Sequence, residues 1–271
     1  MRSSHHAPLH STVSRLVRDT LHRLTVGTRL QERRIKATEV SDEQEVGRGR
    51  VFLVIYTTAL GATALAFITL ALLVRGNQLT QLDIALTRMV QAVHEPIYAW
   101  ALTHASDLGW FPANTVCFGF IFLALFQLGL RLEATLAVAS SLIAGVAGEG
   151  IKLWVGRMRP SAPAVHVAAH LSGYSFPSGH VIQYVTLFGF TSYVVAATWS
   201  RGVARNAILI LFAALIALVG PSRVYLGQHW PSDVVGAYLF SALWLAGTIE
   251  LHLMLKRRGI NLSRRRTSAE P

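Results

Sequence analysis

Apolar runs of roughly bilayer-spanning length alternate with short polar segments along most of the chain. The first, 51–74, contains no charge, and at about 1.5 Å per residue it reaches across a hydrocarbon core of ~30 Å. Further runs at 113–130, 132–155, 179–199, 204–219 and 234–255 bring the expected total to six spans. Between the first two, the segment 76–96 mixes Leu79, Leu82, Ile84, Leu86, Met89 and Val93 with Asp83, Arg88 and His94. That pattern predicts a connecting helix near the interface. The fold class expected is therefore all-α, a six-helix transmembrane bundle. Its domain occupies 50–255, with a basic tail on either side, 1–49 and 256–271.

Composition agrees with this reading. The 271 residues are 52% hydrophobic and 14% charged, with a mean hydropathy of +0.42, whereas soluble domains carry about a quarter charged residues. Soluble, disordered and disulfide-framework classes are disfavoured, and the lone Cys117 has no intrachain partner. A net charge of +11 raises the question of nucleic acid, but the cations gather at the two ends of the chain. Arg15, Arg18, Arg23, Arg29, Arg33, Arg34, Lys36, Arg48 and Arg50 precede the first span, and Lys256, Arg257, Arg258, Arg264, Arg265 and Arg266 follow the last. Cations beside spans mark the cytoplasmic side and favour anionic lipid, so the expected partner is the bilayer and not nucleic acid. Both termini are then cytoplasmic. The segments 156–178 and 220–233 fall together on the outer side. Over 14–30, apolar residues recur at helical spacing among arginines, which fits either a surface-lying amphipathic helix or a solvated tail.

Three polar clusters stand at that outer side. Lys152-Leu-Trp-Val-Gly-Arg157-Met-Arg159-Pro160 ends the third span, with Lys152 and Arg159 seven apart and hence expected on one helical face, and Pro160 expected to stop the helix. Snorkelling cations at a boundary would look the same. Phe176-Pro177-Ser178-Gly179-His180 precedes the fourth span, where Ser178 can cap the helix and the Gly179 N–H is open to an anion. Ser222-Arg223 through His229 to Asp233 bridges the fifth and sixth spans, and Asp233 in a first helical turn can orient a ring nitrogen of His229. A structural His–Asp tie is the plainer alternative.

Lys-x6-Arg-Pro, Pro-Ser-Gly-His and Ser-Arg-x5-His-x3-Asp, in that order on six spans, resemble the type 2 phosphatidic acid phosphatase (PAP2) superfamily, the lipid phosphate phosphatases. The likeness covers about 51–255, and no motif position departs from the pattern. It implies a bundle with its active site at the outer, extracytoplasmic face and His229 as a nucleophile forming a phosphohistidine. It further implies Asp233 as the partner of His229 and His180 as the acid for the leaving oxygen. Lys152, Arg159, Arg223, Ser178 and Gly179 supply charge and donors for phosphate. No Walker loop or magnesium-binding carboxylate cluster stands on the outer side, so the expectation is hydrolysis with no metal and no cofactor. Opposite protonation states of His229 and His180 predict a bell-shaped pH profile. The expected substrate is a lipid phosphate of the phosphatidate, phosphatidylglycerol phosphate or undecaprenyl diphosphate class, and the expected location a bacterial inner membrane. Trp154, Phe176, Tyr225 and Trp230 suit either an acyl groove or an ordinary interfacial belt. A phosphotransferase of the same fold would have an identical sequence pattern. A transporter fits less well, because the charges gather at one face and leave the middles of the spans almost empty. Oligomeric state is not legible.

Overall fold

The computed structural model describes residues 50–259. The expectations for 1–49 and 260–271, including a surface helix over 14–30, lie outside the described residues. Two compact units divide the chain, Met1–Ala59 and Leu60–Pro271. The described part of the first is the opening of helix α1 (Arg50–Arg75), whose apolar side chains there are mostly exposed. The second continues with α2 (Thr80–Gln91), α3 (Pro96–His104), α4 (Ala113–Gln127), α5 (Arg131–Val155), α6 (Gly179–Thr198), α7 (Val203–Tyr225) and α8 (Pro231–Arg257). Among the described residues there is no strand.

Five of these helices, α1, α5, α6, α7 and α8, are long and apolar enough to cross a bilayer. The expected second span is different. Helix α4 has 15 residues, about 22 Å at the α-helical rise, which is short of a hydrocarbon core. It reaches spanning length only together with Pro96–Gly109, and that pair is bent by 66°. Pro112 explains the break: it lacks an N–H and disfavours helical geometry at Phe111, so the chain restarts at Ala113.

Two further boundaries differ from expectation and move site residues. Helix α5 stops at Val155, not at Pro160, because Gly156 takes a left-handed conformation (φ 68°) and donates its N–H to the Lys152 carbonyl. Arg159 therefore lies in the following loop and does not share a helical face with Lys152. Helix α7 runs through Pro221 to Tyr225, six residues past the expected end at 219, so Ser222 and Arg223 ride on its last turns.

Helix α6 is the most buried of the spans and packs against α5, α7 and α8. Its Val181, Ile182, Leu187, Phe188, Phe190 and Val194 form the centre of the core. Small residues let its neighbours approach: a Cβ on Gly148 of α5 would stand 2.8 Å from Ile182 Cδ1. Polar ties add specificity between helices, with Ser141 and Thr186 hydroxyls 2.8 Å apart and Trp244 Nε1 donating to Ser140 Oγ at 2.9 Å. At the far end of the bundle, Glu133 of α5 meets His252 and Lys256 of α8, about 30 Å along the helix from Asp233.

Candidate active site

The loops 156–178 and 226–230 are knit to each other by backbone groups. Ser178 N–H donates to the Asp233 carbonyl (3.2 Å) and Ser175 N–H to that of Arg157 (2.9 Å). Trp230 Nε1 donates to the Met158 carbonyl at 3.0 Å and Arg159 Nη1 to that of Gln228 at 2.9 Å. The ends of α5 and α7 and the starts of α6 and α8 thus meet at one end of the bundle. All three sequence clusters come together there.

His229 sits immediately before α8, 2% exposed. Its Nε2 is 3.2 Å from Arg159 Nη1. A guanidinium only donates, so Nε2 carries the lone pair and the ring proton is on Nδ1. That nitrogen faces Asp233 Oδ2 at 3.5 Å, a charge contact longer than a good hydrogen bond. Asp233, fully buried, also accepts from the Trp230 N–H at 2.8 Å and closes the first turn of α8 on itself. Burial pushes the His229 imidazole down to about 4, against the opposing pull of Asp233, with Arg159 and Arg223 adding to the fall. The ring is neutral at pH 7 with its free electron pair pointed at a cation. Burial also pulls the Arg159 guanidinium below its ordinary range, with Asp233 and Glu149 pulling the other way.

Around that ring stand buried polar atoms that no other protein group bonds. Arg223 is completely buried, yet only its Nη1 is used, donating to Ser106 Oγ at 3.0 Å. Its Nε and Nη2 have no partner, nor do Ser178 Oγ and His180 Nε2. Ser178 occupies the N-cap position of α6 but makes no side-chain cap bond, contrary to expectation, and its hydroxyl remains free. Lys152 Nζ lies over Gly179, 3.5 Å from where a Cβ would be, and is paired with Glu149 at 2.6 Å. A buried charge with two open N–H groups is costly unless an anion completes it. The geometry can therefore take a tetrahedral anion, with a nucleophilic nitrogen at one side and a second histidine close enough to interact electrostatically with Arg223, His229, Lys152 and Arg159.

Four further residues shape the site and were not anticipated. Trp110, in the break between α3 and α4, sets its ring edge-on to His180 (4.8 Å between centroids) with the Arg223 guanidinium 5.1 Å away. Ser106 receives Arg223 and also a bond from Ser222 Oγ at 2.9 Å. Arg157 and Asp83 form a buried ion pair at 2.5 Å behind Asp233. The one signal for Asp83 is a polar stripe, Asp83, Thr87 and Gln91, at four-residue spacing on α2. Of the aromatic candidates for a groove, Phe176 packs over Gly236 in the core and Trp230 is buried, while Trp154 is about half exposed.

Residues 133–257 match the sequence model of the PAP2 superfamily. Over this segment the chain is similar to that superfamily. All eight site residues expected from the motifs fall inside the PAP2 segment, whereas Asp83, Ser106 and Trp110 precede it. Phosphatidylglycerophosphatase B of Bacillus subtilis is 36% identical over 95 residues, which cover 34% of this chain and 45% of that protein. Undecaprenyl-diphosphatase of Sulfolobus acidocaldarius is 29% identical over 140 residues, 51% of this chain and 60% of that one. The matched stretches span about half the length of these relatives. Among solved structures, a transmembrane PAP2-type phosphatidylglycerolphosphate phosphatase from Bacillus subtilis superposes with a TM-score of 0.65 at 23% identity, over 73% of this chain and 98% of that one. It shares the fold.

Proposed function

We propose that the protein is an integral membrane phosphatase that hydrolyses a lipid phosphate or diphosphate through a phosphohistidine on His229. The observation that carries this reading is the set of orphaned buried donors, Arg223 Nε and Nη2, Ser178 Oγ and His180 Nε2, gathered beside a neutral His229. Relatives named for phosphatidylglycerol phosphate and undecaprenyl diphosphate chemistry support the substrate class.

In the first step His229 Nε2 attacks phosphorus in line, the phosphorus–oxygen bond to the lipid breaks, and His180 gives the leaving oxygen its proton. Arg159 must let go of Nε2 for this, and the phosphoryl oxygens offer it better acceptors. Lys152, Arg159 and Arg223 hold the charge that spreads over the equatorial oxygens, with Ser178 and the Gly179 N–H as neutral donors. As His229 gains a bond its ring becomes cationic, and Asp233 stabilises that cation. In the second step water gives a proton to His180 and attacks phosphorus, and the nitrogen–phosphorus bond breaks to release phosphate. Fixed cations supply the positive charge, so turnover should continue in EDTA. The basic tails favour cytoplasmic termini and an extracytoplasmic site.

The test is phosphate release by purified protein in EDTA from phosphatidate, phosphatidylglycerol phosphate and undecaprenyl diphosphate, across pH. One of these should be turned over, and the nucleophile's acid limb of kcat/KM should lie near 4, well below the ~6.5 of an unperturbed histidine. Protonation removes the attacking lone pair, so the rate falls as pH drops through that value. No release from folded protein on any of the three would overturn the reading.

A further inference from the structure

The cluster behind Asp233 is built from Asp83, which precedes the motifs, and from Arg157 and Ser232, at positions the motifs leave unspecified. Arg157, 7% exposed, reaches two carboxylates at once: Nη2 donates to Asp83 Oδ2 at 2.5 Å and Nη1 to Asp233 Oδ1 at 3.1 Å. The same Nη1 touches Ser232 Oγ. Asp83, 2% exposed, accepts in turn from the Ser232 N–H at 2.9 Å and Ser232 Oγ at 2.8 Å. Helix α2 is held against the site by its polar face, since Thr87 is buried beside Asp83 and Gln91 bonds the carbonyls of His166 and Tyr225.

Building on the phosphatase reading, we infer that Asp83 is a positioning residue for the reaction, acting through Arg157 to set how Asp233 holds His229. Three buried groups share the charge, Asp83 and Asp233 negative and Arg157 positive between them. With Asp83 present, Arg157 is divided between two carboxylates, and Asp233 keeps enough negative charge to steady a cationic His229 ring. Without it, Arg157 is drawn wholly to Asp233 and neutralises it. Asp83 also fixes Ser232 at the first turn of α8, and so the angle at which Asp233 leaves that helix.

The remaining charged or titratable groups near His229 are Arg159 in the loop after α5, Arg223 of α7 and His180 at the start of α6, all unchanged by substitution at Asp83. Two variants separate charge sharing from mere support. In Asp83→Asn the ring of His229 should be harder to protonate, and the acid limb should move to lower pH. In Asp83→Asn/Arg157→Gln the cation is gone, Asp233 regains its full charge, and the limb should move to higher pH than in wild type. In both, kcat should fall by about 10- to 100-fold with KM little changed, as expected for an outer partner of a working histidine.

Histidine-selective nitrogen-15 NMR, with the His229 signal assigned from a His229→Gln control, reads the same titration without any turnover. Opposite shifts in the two variants support the inference even if wild type releases no phosphate, in which case only the phosphatase reading falls. Equal His229 titration in wild type and both variants would overturn it. Should Asp83→Asn fail to fold, the neutral pair in the double variant still decides, because a supporting role alone predicts no upward shift.

Discussion

Replacing His229 by alanine abolishes phosphate release, with a loss on the order of 10⁴-fold or more, the scale found when the nucleophile of a covalent mechanism is removed. No other described group is poised to take its place. The hydroxyl of Ser178 is unpartnered, but no base within hydrogen-bonding distance takes its proton. His180 has an open Nε2, but it stands against Trp110 and is the acid in the proposed mechanism. Phosphate binding should survive, because the cations that make it are separate residues. The expected pattern is therefore a collapsed kcat with inhibition by inorganic phosphate retained. Measuring residual turnover and phosphate inhibition together on folded His229→Ala checks both halves.

Arg223→Met has an effect of opposite sign on activity and on stability. Among protein groups the fully buried Arg223 guanidinium has one hydrogen bond, to Ser106, and a ring face at Trp110. Burying an ion costs several kcal/mol unless partners repay it, and here two donors go unmet. Methionine fills a similar volume without the charge. Thermal unfolding of the ligand-free variant should therefore occur at higher temperature than wild type. Phosphate or vanadate should then stabilise wild type and not the variant, since binding to the native state raises apparent stability with the logarithm of ligand concentration over Kd. Turnover should fall about 10³-fold, as when a main charge-stabilising donor is lost. A variant that unfolds at lower temperature than wild type would contradict the view that Arg223 is held for the anion's sake.

Much of the bundle was readable from apolar run lengths because a bilayer demands both length and the absence of charge. Helices α1, α5, α6 and α8 lie close to their expected bounds for that reason. Where local backbone chemistry decided the outcome, the expectations failed. Gly156 ended α5 four residues before the proline expected to do so, and the run expected to span from 113 reaches spanning length only together with a bent segment before it. The clusters around Lys152, His180 and His229 were legible because chemistry ties residue type to spacing.

Their supports were not legible in the same way. Asp83 lies 150 residues before Asp233 and meets it through Arg157 and through Ser232. Its helix reads as a mixed connecting one, yet its Leu82, Leu86 and Met89 are the exposed side chains, while the polar stripe is the buried face. In a membrane setting that inversion is physical, since lipid accepts the apolar face and the protein interior satisfies the polar one. Ser106 and Trp110 carried no signal at all, because only the bend between α3 and α4 brings them over Arg223.

The central claim is a covalent phosphohistidine at His229, and trapping it is the most direct test. Purified protein mixed with substrate carrying ³²P in its terminal phosphate is quenched within the first turnover, in acid or in base. Label that stays on the protein in base, leaves in acid and is absent from His229→Ala is the predicted result. Label that resists acid, or that persists in His229→Ala, would contradict the account.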